Sequence, residues 1–211
     1  VPSAQVDLGK KMREQFGENR PIWLAASTRD GEEKLLLETL QKIQTSGALA
    51  IIVPRHPQRF NEVAELLKSD QIAFQRRSEN AAIAPSTRVV LGDSMGEMFA
   101  YFAASDVAFI GGSLLPLGGQ NLIEACAVGT PVLIGPHTFN FAEATDQAIT
   151  CGAAKRVAGA SELAQEIDQL LANPAQRKSM AAAGLAFTAA HRGASARAYE
   201  RVSSLLAQPG S

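Results

Sequence analysis

Short, wholly apolar runs recur along this chain, each cut off by Gly, Pro or Asp before an amphipathic stretch begins. Ile22–Ala26 precedes Glu32–Ile43, where Leu35, Leu36, Leu37, Leu40 and Ile43 fall near helical spacing. Ala48–Val53 ends at Pro54 and precedes the helical stretch Phe60–Leu67. Ile72–Phe74 reads as a short strand and Thr87–Leu91 as another, followed by a helix over Met95–Ala104. Asp106–Ile110 leads to the helix Leu122–Val128, and Pro131–Ile134 to the helix Phe141–Thr150, with Ala153–Val157 as the last strand. Strands without polar alternation, separated by helices, require a parallel sheet covered on both faces. Right-handed crossovers make that sheet doubly wound and Rossmann-like, with ligands bound beyond the carboxyl ends of its strands.

From Ser161 onward the pattern is helical only. Ser161 is a candidate N-cap for Glu162–Leu171. Asn173-Pro174 breaks the run, and helices over Ala175–Ala190 and Ala194–Leu206 follow, with Gln208–Ser211 as a loose tail. The expectation is one nucleotide-sugar-binding domain over 1–211, its α/β core at about 21–158 and its C-terminal helices at 161–207.

Charge excludes one class of partner. Lys plus Arg total 20 against 21 Asp plus Glu, so the basic excess of a nucleic-acid binder is missing. Cys126 and Cys151 form no C-x-x-C pair, no cluster has zinc-ligand spacing, and buried free thiols are expected. No run reaches transmembrane length and no signal peptide opens the chain. The start at Val1, with no initiator Met, reads as a fragment or a processed piece.

Five loops that follow strands carry the candidate chemistry. In Gly111-Gly112-Ser113 through Gly118-Gly119-Gln120-Asn121 to Glu124, glycines allow a ligand close to the backbone, and the following helix start favours an anion. There Glu124 could accept ribose hydroxyls, or Asn121 and Glu124 could simply cap the helix. Pro54-Arg55-His56 puts a guanidinium suited to phosphate at the sheet edge, or is an ordinary exposed turn. Met95-Gly96-Glu97 could offer backbone to a base edge, or Glu97 could serve only the helix dipole. Ser27 and Arg29 could touch sugar or phosphate, although capping accounts for most of that turn. His137, beside Asn140, could bind sugar or assist proton transfer, or be structural. A doubly wound sheet gathers all five on one edge, which points to an anionic, ribose-bearing ligand.

These motifs, in order from about Pro21 to Val157, resemble the C-terminal half of the 3-deoxy-D-manno-octulosonic acid (Kdo) transferase family. The resemblance implies one half of a GT-B glycosyltransferase that moves Kdo from CMP-Kdo onto a lipid A precursor in lipopolysaccharide biosynthesis. The site implied is the cytoplasmic face of the Gram-negative inner membrane. It implies CMP contacts at Pro54 and Arg55, at Met95, Gly96 and Glu97, and at Asn121, Leu122, Ile123 and Glu124. Ser27, His56, Gly112, Ser113, Gly119 and His137 are further candidate donor contacts. No cofactor and no metal are implied. The general base, the acceptor site and the membrane anchor belong to the family's N-terminal domain, so this stretch alone is expected to bind without turnover. Gln120 and Arg29 stand where the family usually has His. The alternatives are the donor half of a UDP-sugar GT-B enzyme and a non-catalytic nucleotide-binding domain.

Overall fold

The structure is a computed structural model that describes residues 1–206, with side chains through residue 190. Seven parallel strands form one sheet in the order β3-β4-β2-β1-β5-β6-β7. The strands are β1 (Ile22–Thr28), β2 (Leu49–Pro54), β3 (Phe74–Arg76), β4 (Val89–Leu91), β5 (Val107–Ile110), β6 (Val132–Ile134) and β7 (Ala154–Arg156). β1 pairs with β2 on one side and β5 on the other. The chain therefore winds outward from β1 in one direction, returns, and winds outward in the other. The carboxyl ends of β1 and β5 diverge at this switch point, leaving a crevice between the loops that follow them.

Side chains along β1 alternate between two cores, as the period of two for a strand demands. Ile22, Leu24 and Ala26 enter one core, which is closed by α1 (Ser3–Phe16), α4 (Met98–Ala104), α5 (Ile123–Val128) and α6 (Ala142–Thr150). Trp23 and Ala25 enter the other, closed by α2 (Glu32–Lys42), α3 (Phe60–Ser69) and α7 (Ala160–Ala172). β2 is buried at every position, because both of its faces are covered.

Three expectations are corrected. α1 lies outside the core expected to begin near residue 21, yet Met12 and Phe16 are buried in the first core. Its Arg13 donates to the Ala104 and Arg20 carbonyls and to Asp106 Oδ2, which also accepts from the Ile22 amide at 2.8 Å. Those partners on α4 and β1 leave no trace in the local pattern. Ser161 does not cap α7, which begins at Ala160. Glu162 Oε2 instead accepts from the Ala158 amide, and Ser161 Oγ accepts from Lys42. The two helices expected after Pro174 are one, α8 (Pro174–Leu206), since a lone Gly193 costs a helix interior only about 1 kcal/mol. Gln208–Ser211 lie outside the described residues. Among the described residues no helix is long and apolar enough to cross a membrane.

Candidate functional site

A cleft of about 380 Å³ opens at the switch point. Its floor is Ala26, Val53 and Ile110, at or near the carboxyl ends of β1, β2 and β5. Its walls come from three of the predicted loops: Ser27, Pro54 with Arg55, and Met95, Gly96 and Glu97. Gln120, Asn121 and Glu124 close it from the glycine-rich loop and α5. Residues nearly 100 positions apart thus share one cavity because parallel strands deliver every following loop to the same edge.

Arg55 is exposed, and its guanidinium has no partner among the described residues. Its backbone N–H donates to the Thr28 carbonyl at 2.9 Å, which ties the second loop to the first. Ser27 has φ +56°, the left-handed region that a side chain seldom occupies, where the β1–β2 register shifts.

The loop after β4 is suspended between two anchored carboxylates. Asp93 accepts from Ser78 N and Oγ, at 2.8 and 2.7 Å, and pairs with Arg76. Glu97 pairs with Arg77 and accepts from Ser94 Oγ at 2.5 Å. Ser94 Oγ also lies 2.6 Å from the Tyr101 hydroxyl. A serine has one proton to give and Glu97 takes it, so Tyr101 donates to Ser94. Burial raises the Tyr101 pKa above its ordinary value, against the Ser94 hydrogen bond, and keeps that proton in place. Between the anchors, Met95 is 61% exposed and Gly96 has φ +76°. This turn delays α4 to Met98, three residues after the expected start. Sequence reasoning missed Tyr101, Met98 and Phe141 as cleft residues. Each reads as plain helix core, and no local pattern marks it otherwise.

The glycine-rich loop departs most from expectation. Its backbone amides are already occupied by a carboxylate from within the chain. Glu32 Oε1 accepts from Ser113 N and Leu114 N, at 3.0 and 3.1 Å. Glu32 Oε2 accepts from Gly112 N at 2.7 Å and Arg29 N at 3.3 Å. Burial pushes the Glu32 carboxyl upward, and the backbone donors from Gly112, Leu114, Arg29 and Ser113 pull it down. Ser113 is fully buried, with Oγ donating to Ile110 O and accepting from Gly135 N at 2.8 Å. Gly119 N donates to Gly112 O at 2.7 Å. Gly112, Ser113 and Gly119 therefore build the loop and do not line the cleft. His56 and His137 stay outside it as well. Leu122 is buried in the core, and the Ile123 N–H is capped by Asn121 Oδ1 at 2.9 Å, so neither lines the cleft and the capping reading holds there. Arg29 and Gln120 are neighbours, packed against the same face of Gly112.

The loop after β6 is equally tight. A methyl group at Gly135 would collide with the Ser113 carbonyl and come within 2.6 Å of the Leu114 nitrogen. Gly135→Ala is expected to cost about 3 kcal/mol as backbone moves to relieve the overlap. Thermal unfolding should then fall by roughly 6–12 °C for a chain of this size. A shift under 2 °C would show that the two loops separate easily.

The profile of the family described as "Glycosyl transferases group 1" matches residues 34–186. The C-terminal CMP-Kdo binding domain of WaaA from Acinetobacter baumannii superposes with a TM-score of 0.83 at 34% identity, over 88% of this chain and 98% of that one. The chain belongs to the group 1 glycosyl transferases and is a homologue of Kdo transferase C-terminal domains. The 3-deoxy-D-manno-octulosonic acid transferase of Bordetella pertussis is 45% identical over 98% of this chain and 49% of its own length. A sucrose-phosphate synthase of Thermosynechococcus elongatus shares the fold alone, with a TM-score of 0.64 at 18% identity over half its length. The chain spans about half the length of the curated relatives it matches. Its doubly wound sheet is one half of a GT-B glycosyltransferase fold.

Proposed function

We propose that this half of the glycosyltransferase binds CMP-Kdo in the switch-point cleft. One observation carries the reading: an unpaired, exposed guanidinium, Arg55, stands in the same cleft as a loop whose tip leaves its backbone free. Among the described residues neither Met95 N–H nor Gly96 N–H has a hydrogen-bond acceptor, so both can meet the edge of a pyrimidine. Glu124 lines the cleft at the start of α5, where its carboxylate suits the two hydroxyls of a ribose. Arg55 then takes the phosphate, and its cation stabilises the charge that grows on CMP as the sugar departs.

Among the described residues no three His, Cys, Asp or Glu side chains converge on a metal position. The leaving group in this reading relies on Arg55, without metal or cofactor. The acceptor, a lipid A precursor, and the general base that deprotonates its hydroxyl belong to the other half of the whole protein. The transfer then takes place on the cytoplasmic side of the inner membrane.

An NMR titration with CMP, UMP and inorganic phosphate tests the donor site. Shifts confined to Arg55, Met95–Glu97 and Asn121–Glu124, stronger for CMP than for UMP, are expected. Equal responses to the two nucleotides would remove the cytidine assignment, and shifts elsewhere would remove the site.

A further inference from the structure

We propose that Arg76, Arg77 and Ser78, none of which lines the cleft, are positioning residues that set its base preference. The inference rests on the nucleotide reading above and deepens it. The loop Gly92–Glu97 carries the groups assigned to the base, yet its tip is weakly packed, with Met95 largely exposed. A Cβ placed on Gly96 would find no atom within 4 Å. Its orientation is therefore decided at its two ends, and both ends are held by one tripeptide.

At the first end, Asp93 has a side chain only 4% exposed. Ser78 gives it two hydrogen bonds, and Arg76 reaches it at 3.2 Å while also donating to Asn61 at 2.8 Å. At the second end, Arg77 Nε lies 3.4 Å from Glu97 Oε2, and its Nη1 donates to Asn80 Oδ1 at 3.1 Å. Arg77 is itself nearly buried, so its charge is poorly screened and Glu97 stays bound. Glu97 in turn holds Ser94, and Ser94 receives the proton of the buried Tyr101. Arg76 closes the edge strand β3, in register with Leu91 on β4. The sheet edge, the Arg77–Glu79 turn and the base loop thus form one hydrogen-bonded unit.

A misaligned tip would present its N–H groups at wrong angles to every base, while phosphate and ribose contacts on the far wall would persist. Discrimination is lost before binding. The test measures dissociation constants for CMP, UMP and ribose 5-phosphate in Arg77→Met, Arg77→Lys and Ser78→Ala. In Arg77→Met the CMP preference over UMP should fall about fivefold, with ribose 5-phosphate binding unchanged. Arg77→Lys, which keeps the charge, should recover part of that preference. Ser78→Ala removes a single hydroxyl from an exposed turn and folds in any case, so it secures the comparison should Arg77→Met unfold. Equal losses for all three ligands, or an unchanged preference in Arg77→Met and Ser78→Ala, would overturn the assignment. A native chain that binds CMP and UMP alike would instead remove the cytidine assignment beneath it.

Discussion

Glu32→Ala should destabilise the chain by about 4 kcal/mol, the largest single effect expected at the site. Glu32 is fully buried and accepts four backbone N–H groups, three of them consecutive in the glycine-rich loop. Removing the carboxylate strands those donors, each costing about 1–3 kcal/mol if water cannot reach it. The loop would open to find water, and the Ser113 hydroxyl that bridges β5 to Gly135 would move with it. Glu32→Gln should not rescue the loss. Each carboxylate oxygen faces two N–H donors, so whichever way the amide turns, its NH₂ meets a pair of them. Urea unfolding of both variants measures this directly. A loss under 1 kcal/mol in Glu32→Ala would mean that the loop amides have another acceptor and that Glu32 does not shape the site.

Arg55→Met should act in the opposite way, on binding and not on folding. The side chain is exposed and unpaired, so its loss should leave stability within about 0.5 kcal/mol. A charge-assisted hydrogen bond to phosphate contributes about 1.5–3 kcal/mol, which is roughly 10- to 100-fold in affinity for CMP. Cytidine, which lacks the phosphate, should bind native and variant chains equally. The affinity of the native chain for CMP should also weaken with added salt, and that of Arg55→Met less so, because screening acts on the pair that was removed. Calorimetric titrations at two ionic strengths decide it. Equal losses for cytidine and CMP would place Arg55 at the base or the ribose, away from the phosphate.

Arg55 follows β2 and Glu32 opens α2, both at the sheet edge expected from the sequence, yet the two residues were not equally legible. Arg55 reads as a candidate site residue from its position after a buried strand. Glu32 reads as the ordinary acid of a helix first turn, because its partners Gly112, Ser113 and Leu114 lie some 80 residues on. The glycine-rich loop, read as a cradle for a ligand anion, holds an anion that belongs to the fold. Nothing local distinguishes a nest of free amides from one already filled.

The sequence by itself determined what depends on period and on order. Apolar runs at strand length, helices at 3.6 spacing and right-handed crossovers are enough for a parallel doubly wound sheet. They also bring Ser27, Arg55, Met95 and Asn121 to one edge. Motif order was enough for the family. Tertiary structure alone decided which polar groups remain free. Glu32 fills the loop amides, Asn121 caps Ile123, Arg13 pins an unforeseen first helix, and Arg76 to Ser78 hold the Gly92–Glu97 loop from outside the cleft. A hydrogen bond is a choice of partner in space, and a buried N–H donates to whichever oxygen the packed chain brings within reach. That choice is made when distant segments meet, so it leaves no periodicity along the chain to read.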